Sequence, residues 1–282
     1  MHLHQSDAEL SGRDFRALRV QLRFQARETI RFPALAGNAL RGAIGLQLAS
    51  ELFRPAAPDS SPSGFETPPP PFVIRAGHLN HQRFNRAQSF TVGLFVFDLQ
   101  PEVLRRLAIA FAALEDEGLG PSRGRAALEE VSYDELDFDL GAVSPCHRLE
   151  VVFESPTELK GVAQASACRP PEFAVLLARA RDRVSTLRSL YQGGPVETDF
   201  AALGARAGAV RLTAGSVSPF EEQRKSTRTG QRHPMNGFIG SARYEGALGE
   251  FVPWLHAAEA TGVGRHTVWG FGAIRVETKS PD

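Results

Sequence analysis

The sequence is poor in cysteine and in lysine, and it holds no long apolar run. Cys146 and Cys168 are the only cysteines, too few and too far apart to build a zinc site, so two reduced structural thiols are expected. No uninterrupted apolar stretch approaches the roughly 20 residues that cross a bilayer, and the leading MHLHQSDAEL lacks the apolar core of a signal peptide. Both absences predict a cytoplasmic protein with no membrane association. Neither sign of charge is in excess: 32 Lys and Arg balance 32 Asp and Glu, which excludes a global polycation and leaves only local basic patches for binding an anion. Lysine occurs at Lys160, Lys225 and Lys279 alone, so positive charge is almost wholly guanidinium, a group that grips phosphate in bidentate fashion and stacks on bases.

What is present is a mixed helix and strand pattern. From Leu18 to Ala26, apolar Leu18, Val20, Leu22, Phe24 and Ala26 alternate with Arg19, Gln21, Arg23 and Gln25, which predicts a half-buried strand with a basic or polar outer face. Asn38 to Leu52 has helical spacing, with Asn38 as N-cap, and Gly42 and Gly45 inside it imply the close approach of another backbone or a ligand. Seven prolines between Pro55 and Pro71 read as a long loop. A second helix opens at Pro101 and ends at Gly118, and the first half runs strand, helix, strand, strand, helix, strand. The second half repeats that plan, with a strand at Leu149–Phe153, a long helix from Pro171 to about Gln192, and a final strand through Phe271–Val276. Even the junction before the last strand recurs, as GLGPSRG from Gly118 and GVGRHTVWGFG from Gly262. The predicted fold is α+β: two tandem ferredoxin-like (RRM-like) domains, residues 1–143 and 144–282, the second with a C-terminal glycine-rich loop.

Three segments carry chemistry. Gly262, Gly264, Gly270 and Gly272 cluster around Arg265, His266, Thr267 and Trp269; such glycines let the main chain approach a phosphate, and the basic and aromatic side chains add charge and a stacking face. A dinucleotide fingerprint is the competing reading, and the missing third glycine and the position after a helix speak against it; a tight turn without ligand is the bland alternative. Arg224, Lys225, Arg228 and Arg232 lie in a stretch with no acidic residue and read as a flexible basic loop suited to a sugar-phosphate backbone, the alternative being a solvated loop. His78 and His81 form a close histidine pair in a polar segment flanked by Arg75, Arg83 and Arg86. A histidine pair with no cysteine or carboxylate nearby is weak as a metal site, so no metal and no cofactor are expected, whereas imidazole suits acid–base work near neutrality.

Several segments, in order, resemble the RAMP-type CRISPR repeat endoribonucleases: FPALAGNALRGAIG at 32–45, PPPFVI at 69–74, the GLG at 118–120, FESPTELKG at 153–161, the helix with PEFAVLLARARDRVSTLRSLYQGG, HPMNGFIGSARYEG at 233–246 and GVGRHTVWGFGAIRV at 262–276. The resemblance implies repeat or guide RNA as ligand, other Cas proteins as partners, and metal-independent cleavage in which a ribose 2′-hydroxyl attacks the adjacent phosphate. One departure stands out. Relatives commonly carry a catalytic histidine on or near the opening helix, and Pro33–Arg54 here contains neither histidine nor tyrosine. The general base is therefore sought among His78, His81, His233 and His266, with His81 the first choice and His78 the second, and a non-catalytic guide-RNA-binding subunit is the alternative function.

Overall fold

The alternation in the first strand is borne out and extended: β1 spans Asp14–Ala26, with Phe15, Ala17, Val20, Leu22, Phe24 and Ala26 buried and Arg19, Gln21 and Arg23 exposed. In the computed structural model, which describes residues 12–45, 48, 68–120, 122–159, 169–225 and 232–279, the chain forms two compact units. Unit 1 holds the residues up to Asp137 together with Thr186–Pro195 and Val268–Gly270; unit 2 holds the remainder.

In unit 1, β1 is followed by β2 (Ile30–Arg31), α1 (Ala36–Ile44), β3 (Phe72–Arg75), β4 (Arg83–Phe84), β5 (Ser89–Val96), α2 (Pro101–Ala112), α3 (Leu114–Glu117) and β6 (Ala126–Asp139). The sheet order is β3-β5-β1-β6, with β5 antiparallel to both β1 and β3, while β2 and β4 form a separate ribbon. In unit 2, β7 (Arg148–Thr157), α4 (Phe173–Tyr191), α5 (Phe200–Ala207), β8 (Arg211–Lys225), β9 (Arg232–Glu245), α6 (Val252–Thr261) and β10 (Ile274–Lys279) give the order β10-β7-β9-β8. In each sheet the first strand lies between the last and the third, with the second at an edge. That is the ferredoxin-like order, so the fold is α+β with two tandem ferredoxin-like units.

Burial supplies the cohesion. Phe24 and Phe90 stack at 5.4 Å in unit 1, and in unit 2 Phe173 packs edge-on to Tyr244 and Phe251 at 5.1 and 5.2 Å. The buried Tyr244 hydroxyl donates to Pro171 O at 2.8 Å, and burial holds its pKa well above the usual tyrosine value. The last turns of α4 belong to unit 1, where Arg188 donates to Asp14 O at 2.7 Å and the Gln192 amide bonds Arg16 O at 2.6 Å and Phe97 O at 2.8 Å. Buried Gln192 thereby satisfies backbone groups at the ends of β1 and β5.

Three local expectations are corrected. α1 starts at Ala36 rather than Asn38, and its free N–H at Ala36 is met at 3.0 Å by the Asn80 side chain, 44 residues away. Gly42 has open space where a side chain would be; the close backbone approach is at Gly37, where a Cβ would lie 2.5 Å from Trp269 O. Of the basic stretch after Gln223, Arg224 and Lys225 are the last residues of β8 and Arg232 the first of β9, paired through Arg224↔His233 and Lys225↔Arg232; there a strand partner overrides the loop-like composition, and residues 226–231 lie outside the described residues. Arg228, Cys168 and most of the proline-rich stretch lie outside the described residues.

Candidate nucleic-acid interface

The outer face of β1 is not a free basic surface. Arg16, Arg19 and Arg23 reach Asp137 at 3.0 Å, Asp134 at 2.9 Å and Glu130 at 3.2 Å, all on β6. Cross-strand pairs of this kind neutralise the strand.

The glycine-rich loop is built on the junction that both units share. Gly118 and Gly262 each end a helix with φ near +73 and +72 and ψ 165 and 171, and Gly120 and Gly264 repeat the left-handed backbone at φ +68 and +78. These are conformations that side-chain-bearing residues rarely adopt. Leu119 pairs with Gly124 in unit 1, and Val263 N donates to Gly272 O at 2.9 Å in unit 2. Four residues separate the paired positions in the first junction and eight in the second, and the longer insert carries Arg265, His266, Thr267 and Trp269.

Within unit 2 that insert is organised by Glu158, just beyond β7. Its main-chain oxygen accepts from Arg265 N at 3.0 Å, and its carboxylate meets the Arg265 guanidinium at 2.9 Å and His266 Nε2 at 3.3 Å. His266 sits at φ +60 and lies edge-on to Phe271 at 6.0 Å. Gly262, Gly264, Arg265, His266 and Gly272 thus share one neighbourhood. Gly270 belongs to unit 1, next to Ile74 O and the Gly37 Cα.

His78 and His81 flank Asn80 in the β3–β4 connection of unit 1. His78 is exposed, and its Nε2 lies 3.0 Å from Thr91 O. A carbonyl only accepts, so Nε2 is the donor in this contact and Nδ1 is the nitrogen left to face outward. His81 is also exposed, at φ +60, with its N–H donated to Pro33 O at 3.1 Å. Asn80 and Pro33 together hold this pair beside the start of α1. The structure therefore brings His78, His81, Gly37 and Gly270 into one unit. Arg265, His266 and the hairpin bearing Arg224, Lys225 and Arg232 fall in the other.

Two organising residues escape sequence reading. Glu158 stands inside FESPTELKG, but nothing local marks it as the partner of a loop 107 positions away. Asn80 likewise caps a helix from a distance. Among the described residues no three His, Cys, Asp or Glu side chains gather as a metal site requires, and no helix is long and apolar enough to cross a membrane. A cavity of about 120 Å³ under α2, lined by Leu18, Leu22, Leu107, Phe111, Val131 and Tyr133 among others, contains none of the candidate residues.

Two tandem ferredoxin-like units, the second with a glycine-rich loop, are the arrangement against which known proteins can be set. Residues 151–274 match the model of the CRISPR-associated endoribonuclease Cas6 family, and residues 49–142 match a second model described as an N-terminal domain. A Cas6 product complex has the same fold, with TM-score 0.59 and 18% identity over 93% of this chain and 99% of that one. Thermus thermophilus Cas6 gives TM-score 0.56 and 16% identity over 93% and 98%. A polypeptide of a partial Cas6-RT-Cas1–Cas2 complex gives TM-score 0.60 and 12% identity over 94% of this chain, which spans only 46% of that one. No curated protein matches the chain in sequence. The second half thus matches the Cas6 family model, and the chain shares the fold of Cas6 structures along its length.

Proposed function

We propose that the protein is an endoribonuclease that cleaves CRISPR precursor RNA within its repeats to release guide RNA. It works in the cytoplasm, without a metal ion, by attack of a ribose 2′-hydroxyl on the adjacent phosphate. The observation that carries this reading is the glycine-rich loop within the Cas6-matching segment, whose left-handed glycines turn the main chain around Arg265 and His266.

Cleavage of this kind needs in-line geometry, a base for the 2′-hydroxyl, an acid for the leaving 5′-oxygen and positive charge for the transition state. His81 is assigned as general base, with His78, whose Nδ1 is the available nitrogen, as second choice. Gly262, Gly264, Gly270 and Gly272 supply main-chain approach, Arg265 and His266 charge, and Arg224, Lys225, Arg228 and Arg232 a basic hairpin end for the RNA backbone. Residues 1–143 and 144–282 are taken as the two RAMP domains. Repeat RNA and other Cas proteins are the partners, in keeping with the shared fold of a Cas6 product complex and of a Cas6-RT-Cas1–Cas2 assembly.

Incubation of purified protein with its cognate repeat RNA in excess chelator tests the proposal. Products with 5′-hydroxyl and 2′,3′-cyclic phosphate ends are expected, and cleavage that depends on added Mg²⁺ would overturn the mechanism. A second reading, a non-catalytic subunit that holds guide RNA, is favoured by the absence of histidine from α1. Tight binding without cleavage would select it.

A further inference from the structure

Arginine in this protein is almost always neutralised or satisfied. The neighbours of the β2–β4 ribbon follow that habit: Arg125 pairs with Glu28 at 2.7 Å, Arg27 with Glu115 at 3.6 Å, and Arg123 donates to Glu117 O at 2.9 Å. Among the arginines whose side chains are described, three have neither a carboxylate nor a hydrogen-bond partner: Arg31, Arg83 and Arg86. All three are exposed and lie on the ribbon and the turn that follows it.

Arg31 and Arg83 are directly opposed in the antiparallel register, so their side chains leave the same face. Directly opposed like charges destabilise a strand pair. The ribbon nevertheless holds them firmly. Ile30 and Phe84 face inward at the adjacent register position, Phe32 packs edge-on to Phe84 at 6.0 Å, and Gly120, at φ +68, brings its loop so close that a Cβ there would lie 2.8 Å from Arg31 O. A local rule broken on a rigid element, while the flanking Arg27, Arg123 and Arg125 are each paired or hydrogen-bonded, marks a functional position.

We infer that Arg31 and Arg83, with Arg86 beside them, form a phosphate-binding seat that anchors the RNA backbone on unit 1, apart from the glycine-rich loop and the β8–β9 hairpin. The inference rests on the reading that the ligand is RNA. Two guanidinium groups on one face can take one phosphate between them or two in succession, in bidentate geometry. The seat reads no base and gives affinity rather than sequence choice.

The test measures binding of two labelled probes across a salt series: a cognate repeat RNA with a deoxyribose at the cleaved position, and a 30-nucleotide polyuridine. Arg31→Ala with Arg83→Ala should flatten the log–log salt dependence by about 1.4, at roughly 0.7 per single-strand contact, for both probes alike. Arg31→Glu places a carboxylate opposite Arg83. It should weaken binding further, while its melting temperature stays at or above that of the wild type. An unchanged slope, or a loss of binding that follows a lowered melting temperature, overturns the seat. A wild-type protein that binds but does not cut the repeat would remove the endonuclease reading alone, and the slope comparison on polyuridine would still decide the seat.

Discussion

Glu158 holds His266 and Arg265 together, its two carboxylate oxygens 3.3 Å from His266 Nε2 and 2.9 Å from the Arg265 guanidinium. An acid thus occupies the Arg265 guanidinium and the His266 imidazole of the loop proposed to meet phosphate. Because all three side chains are partly exposed, the ion pairs are weak, within about 1 kcal/mol, and a phosphate can replace the carboxylate. Glu158→Gln should therefore tighten repeat RNA binding by about two- to fivefold at low salt, measured by fluorescence anisotropy. Weaker binding would show that Glu158 shapes the loop rather than competing for it.

The two exposed histidines beside α1 separate under single-turnover conditions. Loss of a general base lowers the cleavage rate by about 10² to 10⁴, while loss of a binding contact leaves the saturated rate nearly intact. His81→Ala should show the large loss, with His78→Ala the second candidate. If both cleave within about threefold of wild type, well short of that range, the base lies elsewhere, with His233 and His266 next to be changed.

Gly37 sets how closely the start of α1 approaches the Trp269 main chain. A methyl group there would lie 2.5 Å from Trp269 O, a backbone atom that cannot swing aside. Gly37→Ala should lower stability by about 1 to 3 kcal/mol through overpacking, read from chemical denaturation. Gly42→Ala, in open space on an exposed helical turn, should be neutral or stabilise slightly.

The ferredoxin order was legible because its signals are local. The alternation of β1, the apolar face of α4 and the repeated GLG and GVG junctions each sit within a few residues. What escaped reading depends on partners far along the chain. Asn80 caps α1 across 44 positions, Glu158 meets Arg265 across 107, and the polar ends of β8 and β9 become strands only because each finds the other. α5 is the exception: Asp199, which accepts from Ala201 N and Ala202 N, is a local N-cap signal, set in a short segment between the glycines after α4 and β8. For the site, residue types were legible, but the neutralisation of the β1 arginines by β6 was not, since charge on one strand says nothing of the strand beside it.

The hairpin end allows an independent measurement. Changing Arg224, Lys225 and Arg228 together to alanine should flatten the salt dependence of RNA binding by up to about 2 in log–log slope, with the rate at saturating enzyme unchanged. An unaltered slope would show that this end of the hairpin does not meet RNA.

A pH dependence follows from α6. His256 Nδ1 lies 2.8 Å from Glu259, whose other oxygen accepts from Val276 N on β10 at 2.7 Å. The bond to Glu259 raises the His256 pKa above its ordinary value near 6.5, against the opposing effect of burial. A pKa raised on folding stabilises the protein fully below the unfolded-state value, and that stabilisation is lost as pH climbs through the higher folded-state value. The melting temperature should thus fall across neutral pH by more in the wild type than in His256→Gln, which cannot titrate. The histidine is partly exposed, so the difference should be small, about one or two degrees. Differential scanning fluorimetry from pH 5.5 to 9, both proteins in matched ionic strength, measures it. Parallel curves would show that the ion pair contributes nothing to holding α6 against β10.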